Sequence, residues 1–272
     1  KKNSLVIDAT ADGGGHTLAL LKKLGPRGKL VGLDLDPDMI RRLGRRFRKE
    51  ARAKFFHLNF SDLEKVTRSL KKRPEAIVFD LGLSSLQLFA SGRGFSFRSA
   101  EPLVMTFNPK ERQTAREFLE RASERELEEV IRNYGEEPFA ARIAREIVRA
   151  RQKRKIMTAD ELREIVSRAR PGRGRIDPAT KTFQALRIYL NRELENLEKG
   201  LVAAWQILKP GGRIAVISYH SLEDRIVKNF FRSKDRAGDG RIINKKVIKP
   251  SRKEVLSNPR ARSAKLRLIE KK

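Results

Sequence analysis

The chain has 272 residues, with 62 Lys+Arg against 34 Asp+Glu, a formal net charge of +28 and a sequence pI near 10.9. With 39% hydrophobic and 35% charged residues, and only 18 Gly and 11 Pro, it has the composition of a folded protein with a real core, which excludes collagen-like and disordered classes. The lack of cysteine excludes disulfides, Cys-ligated zinc and a thiol nucleophile, three histidines (His16, His57, His220) leave little room for a His-rich metal site, and no apolar run approaches the roughly 18 to 20 residues of a membrane span.

Leu5-Val6-Ile7-Asp8 reads as a strand running into the glycine turn Gly13-Gly14-Gly15, and apolar residues at Leu18, Leu20, Leu21 and Leu24 predict a helix stopped by Gly25-Pro26. Lys29 to Asp34 is a second strand, followed by a helix opening at Pro37, where the missing N–H costs nothing. Phe55 to Asn59 and Ala76 to Asp80 are the third and fourth strands. Strands alternating with helices at this spacing predict a parallel sheet covered on both faces. From about Phe89 the pattern changes: helices are expected over 115–120, 124–134, 138–152 and 158–169, the last with a Thr158–Glu161 capping box. Pro171-Gly172-Arg173-Gly174 closes them as a basic loop. A long helix from Thr180 to about Leu208, a turn at Pro210-Gly211-Gly212, a fifth strand from Arg213 to Tyr219, a helix within 218–231 and two strand-like runs, 242–248 and 265–269, complete the chain. The α/β fold is thus divided into residues 1–98 and 180–272, with a helical insertion at 99–179. The chain opens on Lys1 with a strand almost at once, so a further N-terminal segment is expected upstream, and with no signal peptide a cytoplasmic protein is expected.

A strand, a Gly-rich turn, a helix, a second strand and an acidic residue form a pattern that takes a nucleotide-like ligand: the glycines admit the ligand to the backbone, the helix start offers N–H donors, and the carboxylate accepts ribose hydroxyls. Asp34 lies nineteen residues after Gly15, the spacing this requires. NAD(P) and S-adenosylmethionine stand nearly level until the glycines are counted: a dinucleotide site wants Gly-x-Gly-x-x-Gly, and Gly13-Gly14-Gly15-His16 supplies no third glycine. A glycine turn with no ligand is the plainer alternative. Asp80, at the end of strand four beside the switch point, can face a cofactor, accept from an exocyclic amine, or simply cap a turn.

Asp8-Ala9-Thr10 through Gly14-Gly15-His16-Thr17, Gly32-Leu33-Asp34-Leu35-Asp36-Pro37, Asp80-Leu81-Gly82-Leu83-Ser84-Ser85-Leu86-Gln87-Leu88, Arg93-Gly94-Phe95-Ser96-Phe97, Tyr134-Gly135-Glu136-Glu137, Thr182 to Arg187, His220-Ser221-Leu222-Glu223-Asp224-Arg225 and Asn258 to Ser263 occur in order along the chain. Together they resemble the ribosomal RNA small subunit methyltransferase H family. The resemblance implies a class I S-adenosylmethionine-dependent methyltransferase sheet with an RNA-holding helical insertion, and methylation of the N4 amine of a cytidine in the decoding region of 16S rRNA. It implies cofactor contacts from Gly14, Gly15, His16, Asp34, Phe60, Asp80 and Gln87, with Phe60 packing on the adenine. By its residue type alone Phe60 reads as core. Asp80 is the candidate catalytic residue, and His220 and Ser221 are candidates for lining the acceptor pocket, Ser221 being equally readable as a helix cap.

Three departures stand out. Asp12 replaces a glycine of the family's first loop, Val104, Thr106 and Asn108 replace two carboxylates and an arginine, and a His-x-Pro-Val stretch before strand one is absent. They motivate a rival expectation, a degenerate member that binds rRNA without methylating it. The net charge itself implies a polyanion, nucleic acid before a membrane surface. It gathers in residues 142–175, with twelve Lys/Arg against four Asp/Glu, and 225–272, with seventeen against four. These regions are expected to dock 16S rRNA or the small ribosomal subunit through phosphate contacts.

Overall fold

The computed structural model describes residues 3–67, 72–97, 100–108, 113–170 and 177–272, and divides into two compact units, Lys1–Gly82 with Leu194–Lys272, and Leu83–Glu193. The basic loop expected at Pro171 to Gly174 lies outside the described residues.

The first unit begins with β1 (Leu5–Asp8), α1 (Gly15–Lys23), β2 (Lys29–Asp34), α2 (Pro37–Arg46), β3 (Ala53–His57), α3 (Leu63–Thr67) and β4 (Ala76–Asp80). The second contains α4 (Ser85–Ala90), α5 (Ala115–Arg121), α6 (Glu124–Gly135), α7 (Ala140–Lys153), α8 (Ala159–Ala169) and α9 (Ala179–Leu190). The chain then passes through α10 (Glu193–Ile207), β5 (Arg213–Ser218), α11 (Ser221–Arg236), β6 (Gly240–Ile242), α12 (Arg252–Ser257) and β7 (Lys265–Lys271).

The strands form one seven-stranded sheet in the order β3-β2-β1-β4-β5-β7-β6. The first five are parallel, and β7 runs antiparallel to both β5 and β6. This is the class I methyltransferase sheet expected from the sequence. Every residue of β1 is buried, as in a parallel strand covered on both faces. Ile7, Leu33, Ile77, Phe79 and Val216 share a core with Leu197, Leu201 and Ala204 of α10 and with Phe231 of α11. The strand order reverses between β1 and β4, which puts the switch point at their carboxyl ends.

In the helical unit, Leu127 and Ile131 of α6, Ile143 and Ile147 of α7, and Leu162 and Val166 of α8 are buried in one apolar cluster. Their i, i+4 spacing is the amphipathic period that predicted these helices. Capping boxes start α4, α5, α6 and α8, the last being the predicted Thr158–Glu161 pair. The boundaries fall at 82/83 and 193/194, because Phe95, Phe183 and Leu186 join the helical cluster.

Two expected elements differ. The helix predicted from Thr180 to Leu208 is two helices, broken where Arg192 takes φ 49°. Asn191 caps the first with Nδ2 donating to the Arg187 carbonyl, while its Oδ1 accepts from the Phe107 N–H. Of the strand-like run 242–248, only Ile242 belongs to β6, and Ile248 makes an isolated bridge to Leu266. The Asn244 side chain replaces the backbone ladder there: Oδ1 accepts from the Leu268 N–H at 2.7 Å, and Nδ2 donates to the Leu266 carbonyl at 3.0 Å. Among the described residues no helix is long and apolar enough to cross a membrane.

Candidate active site

Three carboxylates stand at the carboxyl edge of the first unit's sheet: Asp8 ends β1, Asp34 ends β2 and Asp80 ends β4. Asp8 pairs in register with Gly32 and Val78, which lie just short of the other two, so the edge is shared.

The turn after β1 carries the glycines. Gly14 takes φ 82° and is the N-cap of α1; a Cβ there would lie 2.7 Å from the Phe47 ring and 2.9 Å from Leu43. Both backbone angle and space therefore demand glycine. Gly15 opens the helix with nothing near a Cβ position, and Gly15 and His16 are exposed. The first-turn N–H groups have no intrahelical acceptor, leaving donors toward the exposed side. Asp12, at the family's glycine position, adopts φ 44°, so the departure is accommodated in the left-handed conformation a glycine takes freely.

Asp34 is held by two backbone donors. Its Oδ2 accepts from the Asp12 N–H and its Oδ1 from the Asp36 N–H, each at 2.8 Å. Each oxygen accepts one such bond and retains capacity for another, so the carboxylate can still receive a vicinal diol. Burial pushes its pKa up to about 7, against the two N–H bonds that lower it; the charges of Asp12 and Asp36 push the same way as burial. Asp8 is fully buried, and burial raises it to about 6, although the Thr17 hydroxyl donates to its Oδ2 at 2.7 Å. The other Asp8 oxygen, also buried, has no hydrogen-bond partner among the described residues.

Asp80 is braced on both oxygens. The Tyr219 hydroxyl donates to Oδ1 at 2.8 Å, and His16 Nε2 lies 2.9 Å from Oδ2. Its own N–H donates to Thr10 Oγ1 at 2.7 Å. The hydrogen bond with Asp80 raises the pKa of His16 against the opposing effect of burial, so the pair favours an imidazolium. Burial raises the Tyr219 phenol, with the Asp80 charge adding to it, so the phenol stays protonated and donates. Gly82, at φ 116°, lies against this ring: a Cβ would sit 3.1 Å from Tyr219 Cδ2.

Tyr219 is the residue that reading the sequence missed. The motif beside it explains its placement. His220, not Ser221, is the N-cap of α11, in a capping box with Glu223. Glu223, 2% exposed, accepts from the Tyr219 N–H at 2.8 Å, and its Oε1 lies 3.0 Å from His220 Nε2. The cap uses one ring nitrogen, Nδ1, which accepts from the Glu223 N–H at 3.4 Å, while the buried Nε2 makes no hydrogen bond with a described residue. Asp224 accepts from Arg267 at 2.7 and 3.1 Å and from Lys265 at 3.4 Å, tying α11 to β7. The sequence carries no local signal for the role of Tyr219, since the cap fixes only its backbone N–H and the hydroxyl reaches a carboxylate on another strand, 139 positions away.

Phe60 opens a short 3₁₀ turn after β3, and its ring meets Phe79 edge-on at 5.5 Å and packs on Gly200, where a Cβ would come within 2.5 Å. The structure therefore places it at the partly buried margin of the core. Gly14, Gly15, His16, Asp34, Phe60 and Asp80 fall in one compact unit; Gln87 falls in the other, 6% exposed, with its side-chain oxygen accepting from the Ser84 N–H at 3.2 Å. The segment with Val104, Thr106 and Asn108 is also in that unit. Thr106 is 2% exposed, and Arg93 donates to the Thr106 and Phe107 carbonyls at 3.2 and 2.7 Å. A neutral side chain suits the buried site at 106, where an arginine would need a partner of its own.

The MraW methylase family matches the chain over residues 1–272. Proteins named ribosomal RNA small subunit methyltransferase H are similar to it over nearly their whole length. That of Coprothermobacter proteolyticus is 44% identical, covering 99% of this chain and 90% of the relative. Those of Persephonella marina and Coxiella burnetii are 44% and 40% identical, covering 99% and 100% of this chain and 93% and 94% of the relatives.

Proposed function

The chain belongs to the MraW methylase family, and from that premise we propose that it transfers a methyl group from S-adenosylmethionine to the N4 amine of a cytidine in the decoding region of 16S rRNA. The small ribosomal subunit or its rRNA is the acceptor, and the bacterial cytoplasm the compartment. The observation that supports this most is the pairing, on one sheet edge, of Asp34 with spare acceptor capacity and Asp80 braced by Tyr219 and His16.

The cofactor supplies a methyl group already activated by its sulfonium charge, so neither a metal nor a covalent enzyme intermediate is needed. Asp34 holds the ribose hydroxyls, the glycine turn takes the methionine part through the N–H groups at the start of α1, and Phe60 completes the cofactor set within this unit. An exocyclic cytosine amine is a poor nucleophile because its lone pair is delocalised into the ring. Rate therefore comes from alignment and from an acceptor that holds the amine N–H. Asp80 is that acceptor in this reading. Tyr219 and His16 are positioning residues: their hydrogen bonds fix the carboxylate plane, and the remaining lone pairs face the substrate. The helical unit holds RNA.

Calorimetric titration with S-adenosylmethionine, followed by methyl transfer to 16S rRNA or small-subunit particles, tests the proposal. Saturable binding with transfer is expected. Binding without transfer leaves the degenerate reading instead, and no binding removes the cofactor site.

A further inference from the structure

The segment between β6 and β7 is weakly neutralised. From Ile243 to Ser263 it carries Lys245, Lys246, Lys249, Arg252, Lys253, Arg260 and Arg262 against Glu254 alone. All but Arg260 of these cations are exposed, and none of those exposed six forms an ion pair with a described residue. The basic stretch of the helical unit is built differently. Arg145 pairs with Glu124, Arg149 with Glu146, Lys155 with Glu120, Arg163 with Asp177 and Arg168 with Glu164, so that most of its cations hold a carboxylate, Arg142, Arg151 and Lys153 being the exceptions among the described residues of α7. A cation already holding a carboxylate gains less from a phosphate, because the first pair must be given up.

Position adds to charge. β7 is antiparallel, and its first residue, Lys265, pairs with Ser218 at the carboxyl end of β5, one residue before Tyr219. The segment that enters β7 therefore lies on the same sheet edge as Asp8, Asp34 and Asp80. Ile248 bridges to Leu266 at that end, and the Arg260 charge acts on the Tyr219 phenol. Leu256 is 75% exposed and Ile248 48%, so apolar faces stand between the cations.

We propose that residues 243–263 grip the phosphodiester backbone of the RNA substrate beside the reacting base, and that this segment, rather than the paired cations of α7 and α8, supplies most of the electrostatic attachment. The inference rests on the reading of the chain as an rRNA methyltransferase. Phosphate is the fitting partner because a row of free lysines and arginines releases counterions from a polyanion and reads no sequence, leaving base selection to the pocket.

The test uses the full chain and a 16S rRNA fragment spanning the decoding region, with affinity measured across a salt series. In one variant Lys245, Lys246, Lys249, Arg252 and Lys253 are changed to Gln. In a second, Arg145, Arg149 and Arg168 are changed to Gln. The first is expected to bind RNA at least about tenfold more weakly, with the slope of log affinity against log salt smaller by roughly 3.5 to 4.5, at about 0.7 to 0.9 for each of the five phosphates no longer neutralised. Its affinity for S-adenosylmethionine and its melting temperature stay at the unsubstituted values, since the side chains are exposed and outside the cofactor site. The second variant shifts the slope by less than about 1. Exchanging the four lysines for arginine retains binding. Unsubstituted affinity and slope in the first variant, or the whole loss appearing in the second, would overturn the proposal while leaving the methyltransferase reading intact. So would loss of binding to phosphatidylglycerol vesicles with RNA affinity unchanged. An unsubstituted chain that binds cofactor but neither binds nor methylates the RNA overturns both.

Discussion

The two compact units neutralise their charge in opposite ways. The helical unit carries 23 Lys/Arg against 16 Asp/Glu, and its carboxylates sit on helix surfaces within reach of arginines one turn away, as in Arg125–Glu129 and Arg132–Glu128. The sheet unit carries 39 against 18, and several of its carboxylates are withdrawn from the surface. Asp8, Asp36 and Glu223 are nearly or fully buried, and Asp34 is raised by burial to about 7. A buried carboxylate no longer offsets a surface cation. Net charge by stretch of sequence therefore says less about docking than the pairing of each cation does.

The comparison breaks first at Asp80. Asp80→Asn keeps the shape but not the charge-assisted hydrogen bonds, and turnover is expected to fall by about 100-fold or more, with cofactor affinity changed far less; single-turnover methyl transfer measures it. Equal losses of affinity and turnover would make Asp80 a cofactor residue only. Asp34→Ala comes next. Losing hydrogen bonds to a charged group, at about 1.5 to 3 kcal/mol each, is expected to weaken S-adenosylmethionine binding about 10- to 100-fold by calorimetry, and an unchanged affinity would displace the pocket. Tyr219→Phe removes one brace from Asp80 and is expected to lower kcat about fivefold to tenfold, in line with a single hydrogen bond of about 1 to 1.5 kcal/mol, with KM for RNA unmoved. A KM effect without a kcat effect would assign Tyr219 to substrate binding.

The smallest effect is a pH dependence. Asp34 and Asp8 have folded-state pKa values of about 7 and about 6, raised chiefly by burial from an ordinary 3.8. The folded state then holds these protons more tightly than the unfolded chain. Their contribution to stability is fully present below about pH 4 and is lost as pH rises through about 6 to 7. Cofactor affinity runs the other way, because ribose hydroxyls donate best to an ionised Asp34: it is expected to rise up to about pH 7 and level off above. Asp34→Asn should flatten the affinity trend and leave only the Asp8 part of the stability trend, as read by calorimetry and melting curves from about pH 5 to about pH 8. A fall in affinity across that range would contradict the assigned role.

The pattern of apolar residues carried most of the fold, because parallel strands and amphipathic helices have distinct periods that survive in a single sequence. It failed where a side chain did the work of backbone. Asn191 and Asn244 each take over main-chain hydrogen bonds, which ends a helix in one case and a strand in the other, and an asparagine gives no periodic signal. In the site, Asp34 and the glycine turn were legible because their spacing is set by one strand–helix–strand unit. Tyr219 was not, since its link to Asp80 spans 139 positions and exists only once β4 and β5 lie side by side. His220 was legible as important but not as a helix cap, because a histidine that caps through Nδ1 looks in sequence like any other histidine.

The most direct test incubates the purified chain with S-adenosylmethionine and unmethylated small-subunit RNA and maps the product by nucleoside mass spectrometry. One N4-methylated cytidine in the decoding region, absent with Asp80→Asn, is the predicted result. A chain that binds the cofactor with Asp34-dependent affinity and leaves every cytidine unmodified would contradict it.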